Sequence, residues 1–405
     1  MTRIDDELRP DASTAARPPA PLEGIRVIDV ATLLAGPMVA TLLGDMGATV
    51  TKVEHPRGDP LRWHGPRKDG QPLMWKVINR NKAGVTLNLS RQADADAFLT
   101  MARDTDVVVD NFRPGTLERW GVGWEALHEV NPRLILVRVT GFGQAGPYAS
   151  RPGFGTLAEA MSGFAHVTGF PDGPPTLPPF GLADGICGLA GAWAATNALY
   201  WRDLRGGSGQ LIDLALYEPL MSIVGIQPTI YDQLGIVQQR TGNRSVNNAP
   251  RNTYRTADER WVALSASADS VARRVLTLVG REDIVAQPWF ADAAGRVEHL
   301  EEIDAAVAEW MAAHTADEVV EACERVGAAV MPVYTAADVV ADPHVQARGT
   351  LRRMADPDLG ELLMQDVIAK LSESPASVRA TGPGLGEHNR DILEGRYGID
   401  LDTLA

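Results

Sequence analysis

Short apolar runs alternate with amphipathic stretches through the first half of the chain. Ile25 to Val30 is an apolar run of strand length, Pro37 to Asp45 reads as a helix with proline at its opening, and Ala48 to Glu54 is a second strand. A strand, a helix and a strand in that order form a β-α-β unit, and such a crossover implies parallel pairing. Further strands fit Asp106 to Asp110 and Leu134 to Val139, with amphipathic helices around Ala93 to Ala102 and Thr116 to Val130. The pattern is that of a doubly wound, Rossmann-like α/β sheet. A small-residue helix then begins at Asp184, and the glycine turn Gly206 to Gly209 leads into one more strand, Gln210 to Tyr217.

From about Asn252 the chain changes character. A strand at Trp261 to Ser267, helices at Ser270 to Val279, Glu298 to Ala313 and Ala316 to Val326, and an apolar strand at Ala328 to Tyr334 predict a smaller α+β domain. Past Asp342-Pro343 come short strands, a glycine-proline segment and a last helix near Asn389 to Glu394. The expected organisation is a disordered leader over 1–20, a large domain over 21–225, a linker over 226–240, the small domain over 241–335, and a return of 336–405 to the large domain.

Composition narrows the function. A net charge of −14 argues against nucleic acid or an anionic membrane surface as the main partner. The two cysteines, Cys187 and Cys323, form neither a disulfide framework nor a C-x-x-C metal site, and the acidic first residues are unlike a secretory signal. A cytoplasmic protein without a membrane span or a metal is expected. The opening β-α-β unit places Glu54 where a ribose-binding acid would sit. However, Leu33-Leu34-Ala35-Gly36-Pro37 lacks the glycine spacing that lets backbone approach a pyrophosphate. Serine-hydrolase, P-loop and zinc-protease motifs are missing as well.

Asp184 draws attention because it stands where a Pro/Gly-rich loop meets a helix of small residues. One reading makes it an N-cap. The other makes it a nucleophile toward a thioester: a helix N-terminus favours the ionised carboxylate, and Gly185 and Gly188 leave room for a ligand.

Leu-Ala-Asp184-Gly-Ile-Cys-Gly188 resembles the catalytic aspartate segment of the family III CoA-transferases, the CaiB/BaiF group that includes formyl-CoA and carnitine CoA-transferases. The resemblance runs from about Pro21 to Leu393. It takes in Ala35-Gly36-Pro37, Gly44-Asp45-Met-Gly-Ala48, Val53-Glu54, Asn81-Lys82, Asp110-Asn111-Phe112-Arg113-Pro114-Gly115, Gly141-Phe-Gly-Gln-Ala-Gly-Pro147, Gly209-Gln210 and Gly386-Glu-His-Asn389. It implies an enzyme that passes coenzyme A from an acyl-CoA to a small carboxylic acid, with Asp184 carrying the covalent intermediate. It also implies CoA over the C-terminal ends of the sheet, lined by Leu33, Leu34 and Ala35 with Asn81 and Lys82 nearby. Asn111 and Phe112 would contact pantetheine and adenine, and Arg119 a phosphate. Read without the resemblance, Asn111 to Gly115 is a turn after a strand and Arg119 a solvated helix residue. Family subunits interlock as rings, so a homodimer is expected.

Two departures from the family pattern stand out. Formyl-CoA transferases carry a carboxylate after an aromatic residue in the loop before the catalytic segment, where this chain has Phe154-Gly155. Their glycine-run loop is replaced by Gly242-Asn243-Arg244 and Asn247-Asn248-Ala249-Pro250. Racemases of the same family use the histidine of a Gly-His-Asp sequence, and Gly153-Phe154-Gly155 offers no such base. Transferase is therefore preferred, with a racemase or CoA-dependent lyase and a non-catalytic CoA-binding protein as the alternatives.

Overall fold

The computed structural model describes residues 18–404, so nearly all of the expected leader lies outside the described residues. Six strands form one sheet: β1 (Arg26–Asp29), β2 (Thr49–Glu54), β3 (Lys82–Thr86), β4 (Val107–Asp110), β5 (Ile135–Thr140) and β6 (Leu211–Ala215). Every pairing is parallel and the order across the sheet is β3-β2-β1-β4-β5-β6. The winding therefore reverses between β1 and β4, where a crevice opens beyond the strand ends.

The central strands are apolar at successive positions because both faces of the sheet are covered. Val27, Val107, Val109 and Val137 enter one core, while Ile28, Val108 and Leu136 enter the other. Helices α1 (Ala35–Asp45), α3 (Gly155–Met161), α4 (Leu182–Leu204) and α5 (Tyr217–Val224) contribute to the first core, and α2 (Gln92–Ala102) to the second. The stretch expected as one helix over Thr116 to Val130 is two, Thr116–Arg119 and Trp124–Val130. Gly121 stands between them at φ +74°, a conformation glycine adopts without steric cost.

Strand β3 was not legible in the sequence, since Lys82 and Gly84 break its apolar pattern. It is an edge strand, and Asn389 closes its outer side. The Thr86 N–H donates to Asn389 Oδ1 at 2.8 Å, and the asparagine's Nδ2 donates to Thr86 Oγ1 at 2.8 Å. The Gly386-Glu-His-Asn389 segment thus covers an otherwise open sheet edge.

The described chain divides into two compact units. One comprises residues up to Phe164, Pro178–Gly225 and the chain from His344 onward, and the other Ala165–Leu177 and Ile226–Pro343. The second unit holds an antiparallel sheet of β7 (Arg251–Arg255), β8 (Trp261–Ser265) and β9 (Ala329–Pro332), in the order β9-β8-β7. Its helices at Asp269–Leu278, Leu300–Ala312 and Ala316–Arg325 share one apolar core with that sheet. Among the described residues no helix is long and apolar enough to cross a membrane.

Candidate active site

Helix α4 starts at Leu182, with Gly181 at the N-cap, so Asp184 is the third helical residue and not the cap. Its position follows from glycines. A Cβ on Gly188 would lie 2.6 Å from Met38 Cβ, and one on Gly191 2.5 Å from Val39 Cγ2. Only glycine lets α4 pack this closely on α1, and that packing brings Asp184 beside the opening of α1.

Asp184 is half-buried at the end of a cleft of about 290 Å³. The cleft also takes in Leu33, Leu34 and Ala35 from the β1–α1 turn, Asn111 and Phe112 from the loop after β4, and Phe154 before α3. It opens at the C-terminal ends of β1, β4 and β5, where the sheet order reverses. A second cleft of about 380 Å³ runs from Val30 and Thr32 past Glu54, His55, Arg57 and Ser90, and shares Phe112. Burial, reinforced by the charge of Glu159, pushes the Asp184 carboxyl up to about 6. At neutral pH it is ionised and more basic than an ordinary aspartate.

The β1–α1 turn is strained and held from several sides. Leu33 sits at φ +62°, in the left-handed region that leucine seldom occupies, at a cost of about 1–3 kcal/mol. Its N–H donates to Asp59 Oδ1 at 3.1 Å. Asn111 accepts the Thr32 N–H at 2.8 Å and returns a bond from Nδ2 to the Thr32 carbonyl at 2.7 Å. Asp29 Oδ1 accepts the Ala31 N–H at 3.0 Å, and Lys52 donates to the Ala31 carbonyl. The turn therefore presents Leu33, Leu34 and Ala35 to the cleft in one conformation.

Beneath it lies a buried ion quartet. Lys82 Nζ reaches Asp29 Oδ2 at 2.8 Å, and Lys52 Nζ lies 3.5 Å from Asp29 Oδ1 and 3.3 Å from Asp59 Oδ2. Two cations and two anions leave no net charge, which makes burial tolerable. Burial pulls Lys82 down to about 8 against the attraction of Asp29. For Lys52 burial acts in the same direction, but Asp29 and Asp59 outweigh it and raise the ammonium.

The structure thus brings Asp184, Leu33, Leu34, Ala35, Asn111 and Phe112 to one cleft. Asn81, Lys82 and Arg119 are not among its lining residues. Asn81 precedes β3, at the opposite end of the sheet. Its Nδ2 donates to Asp45 Oδ1 at 2.8 Å, and its Oδ1 accepts the Arg379 N–H at 2.6 Å. Lys82 spends its ammonium on Asp29, the Pro37 carbonyl and Asn79. Arg119 is exposed and donates to Thr116 Oγ1 at 2.9 Å. Sequence reasoning missed the quartet and the closeness of Glu159 to Asp184. The signal for Glu159 was its spacing of four from Gly155 in the stretch before the Asp184 segment.

The family model for CoA-transferase family III matches residues 22–389. The chain belongs to that family. As a family III enzyme it transfers coenzyme A between carboxylic acids. It is 41% identical over 394 residues to succinyl-CoA–D-citramalate CoA-transferase of Chloroflexus aurantiacus, covering 97% of this chain and 98% of that one. It is 42% identical over 384 residues to the succinyl-CoA–L-malate CoA-transferase beta subunit of the same organism, covering 94% and 95%. Among solved structures, a CaiB/BaiF family protein from Brucella suis superposes with a TM-score of 0.82 at 31% identity, covering 94% of this chain and all of that one. The central parallel sheet is therefore the family's fold.

Proposed function

We propose that this family III enzyme moves CoA from succinyl-CoA to a small hydroxy-dicarboxylic acid, through a thioester on Asp184. The observation that carries the reading is the half-buried, basic carboxylate of Asp184 at the end of the cleft that Leu33 to Ala35 and Phe112 line. The substrate class rests on similarity to the citramalate and malate transferases.

In the proposed sequence, Asp184 attacks the thioester carbonyl of the donor, giving an acyl-aspartyl anhydride and CoA thiolate. The thiolate attacks the aspartyl carbonyl, releases the donor acid and leaves aspartyl-CoA. The acceptor carboxylate opens that thioester to a second anhydride and frees the thiolate again. Thiolate attack on the acceptor's acyl carbonyl then yields the new acyl-CoA and restores Asp184. A thiolate retained beside the anhydride reacts before water does, because a near-attack arrangement replaces a bimolecular encounter. Leu33, Leu34, Ala35, Asn111 and Phe112 would contact the CoA. Asn81 and Lys82 would serve it by holding the turn and the sheet, and Arg119 would meet a phosphate at the rim.

A homodimer in the cytoplasm completes the reading. Leu189, Trp193, Tyr200, Trp201 and Leu204 all leave α4 exposed to solvent, more apolar surface than one helix of a lone subunit ordinarily presents. Buried, unpaired Cys187 and Cys323 suit a reducing compartment.

Incubation with succinyl-CoA without acceptor tests the chemistry. The peptide holding Asp184 should gain the mass of CoA less one water, become a hydroxamate with hydroxylamine, and remain unmodified in Asp184→Asn. An adduct on Glu218 or Glu159 would refute the assignment of the nucleophile.

A further inference from the structure

Helix α3 packs against both α4 and α5. Gly155 and Glu159 are one turn apart on it, so they share the face turned to the start of α4. Gly155 leaves a space that the Asp184 carboxylate fills: a Cβ there would lie 2.5 Å from Oδ2. Glu159 is 3% exposed, and its Oε1 accepts the Ala183 N–H at 3.3 Å, in the first turn of α4. One carboxylate opens onto the cleft and a second is buried behind it.

We propose that Glu159 is a positioning residue for Asp184: it pins the first turn of α4 through the Ala183 N–H, and its negative charge drives Asp184 toward acylation. The proposal rests on the transferase reading. The charge of Glu159 disfavours the ionised form of Asp184, and that repulsion ends when Asp184 becomes an anhydride or thioester, which carries no charge. Glu159 thereby raises the free enzyme relative to its covalent intermediates and keeps the attacking oxygen basic. Burial first and the charge of Glu159 second raise the Asp184 carboxyl, which accords with this. Cys187 on α4, and Glu218 on α5 which acts on it, are further titratable groups near the pair. Burial first, then Asp184 and Glu218, keep Cys187 a thiol. Arg113 and Arg151 line the cleft on its exposed side.

The test measures kcat/KM for succinyl-CoA against pH, together with the fraction of Asp184 carrying CoA, in the full-length wild type, Glu159→Gln and Glu159→Ala. The glutamine keeps an acceptor for the Ala183 N–H and removes the charge; alanine removes both. The wild type should lose activity on acidification with a midpoint near 6. In Glu159→Gln that midpoint should fall by about one pH unit, the adduct fraction should drop about three- to tenfold, and the melting temperature should hold. A purely structural Glu159 gives a different pattern: a glutamine profile superimposed on the wild type and a loss confined to alanine, which overturns the proposal. If the glutamine variant does not fold, the wild type decides alone, because a midpoint below 5 removes the effect being explained. Wild type without transfer or adduct sinks the transferase reading and this proposal with it. Transfer with an adduct and an unmoved midpoint in Glu159→Gln sinks only the proposal.

Discussion

Gly155→Ala separates catalytic geometry from stability with a single methyl group. The added Cβ would stand 2.5 Å from Asp184 Oδ2 and 3.2 Å from its Cγ, whereas ordinary contact begins at 3.4 Å. Restoring that distance from 2.5 Å requires the carboxylate to retreat by about 0.9 Å. The clashing atom is the tip of a short side chain facing a cleft, so a χ rotation relieves it and the backbone need not move. The fold gains from the change if anything, because alanine is about 1 kcal/mol more favourable than glycine within a helix and less so at its first residue.

Activity responds differently. A misplacement near 1 Å can cost about 100-fold in rate when the reaction depends on a near-attack arrangement. Gly155→Ala is therefore expected to keep or raise the melting temperature, leave KM for succinyl-CoA within about threefold, and lower kcat by about two orders of magnitude. The assay is steady-state transfer from the proposed donor, succinyl-CoA, to malate or citramalate as the proposed acceptors, with mass analysis of the Asp184 peptide. Full kcat in a folded variant would refute the view that the Asp184 position depends on the space at Gly155.

Three further outcomes follow from the same geometry. Asp184 is raised from 3.8 to about 6, so its ionised form is less well accommodated folded than unfolded; that penalty is complete above pH 6, shrinks as pH falls, and is gone below 3.8. Asp184→Asn should thus be more stable than wild type by about 1–2 kcal/mol at pH 8, allowing for the group's partial exposure, with the difference vanishing near pH 4 in urea titrations. Lys82→Met leaves Asp29 short of a buried partner and should cost about 3–5 kcal/mol, read as a lower denaturant midpoint; an unchanged midpoint would show the quartet to be dispensable. Phe112→Ala should raise KM for acyl-CoA about tenfold with a smaller effect on kcat, since the ring borders both clefts.

Legibility in the sequence followed the range of the physics. Elements whose signal is local could be read directly: the apolar runs of β1, β2, β4 and β5, α2 with its amphipathic spacing, and the helices of the small unit. Edge strand β3 was missed because its stability comes from β2 on one side and Asn389, some 300 positions away, on the other. Motif and composition singled out Asp184, but its place as the third residue of α4 was set by Gly181 and by packing on α1.

The sequence by itself determined the parallel sheet and most of its strands, and it singled out Asp184 with the turn and loop beside it as candidates, because hydrophobic periodicity and short motifs act over a few residues. Only the tertiary structure decided what the charged residues do. Lys82 read as a CoA neighbour and is a buried counter-ion to Asp29; Asn81 ties α1 to the C-terminal segment; Glu159 lies in none of the sequence motifs and stands behind Asp184. An ionic group takes its role from partners within a few ångströms, and in this fold those partners lie tens to hundreds of residues away along the chain.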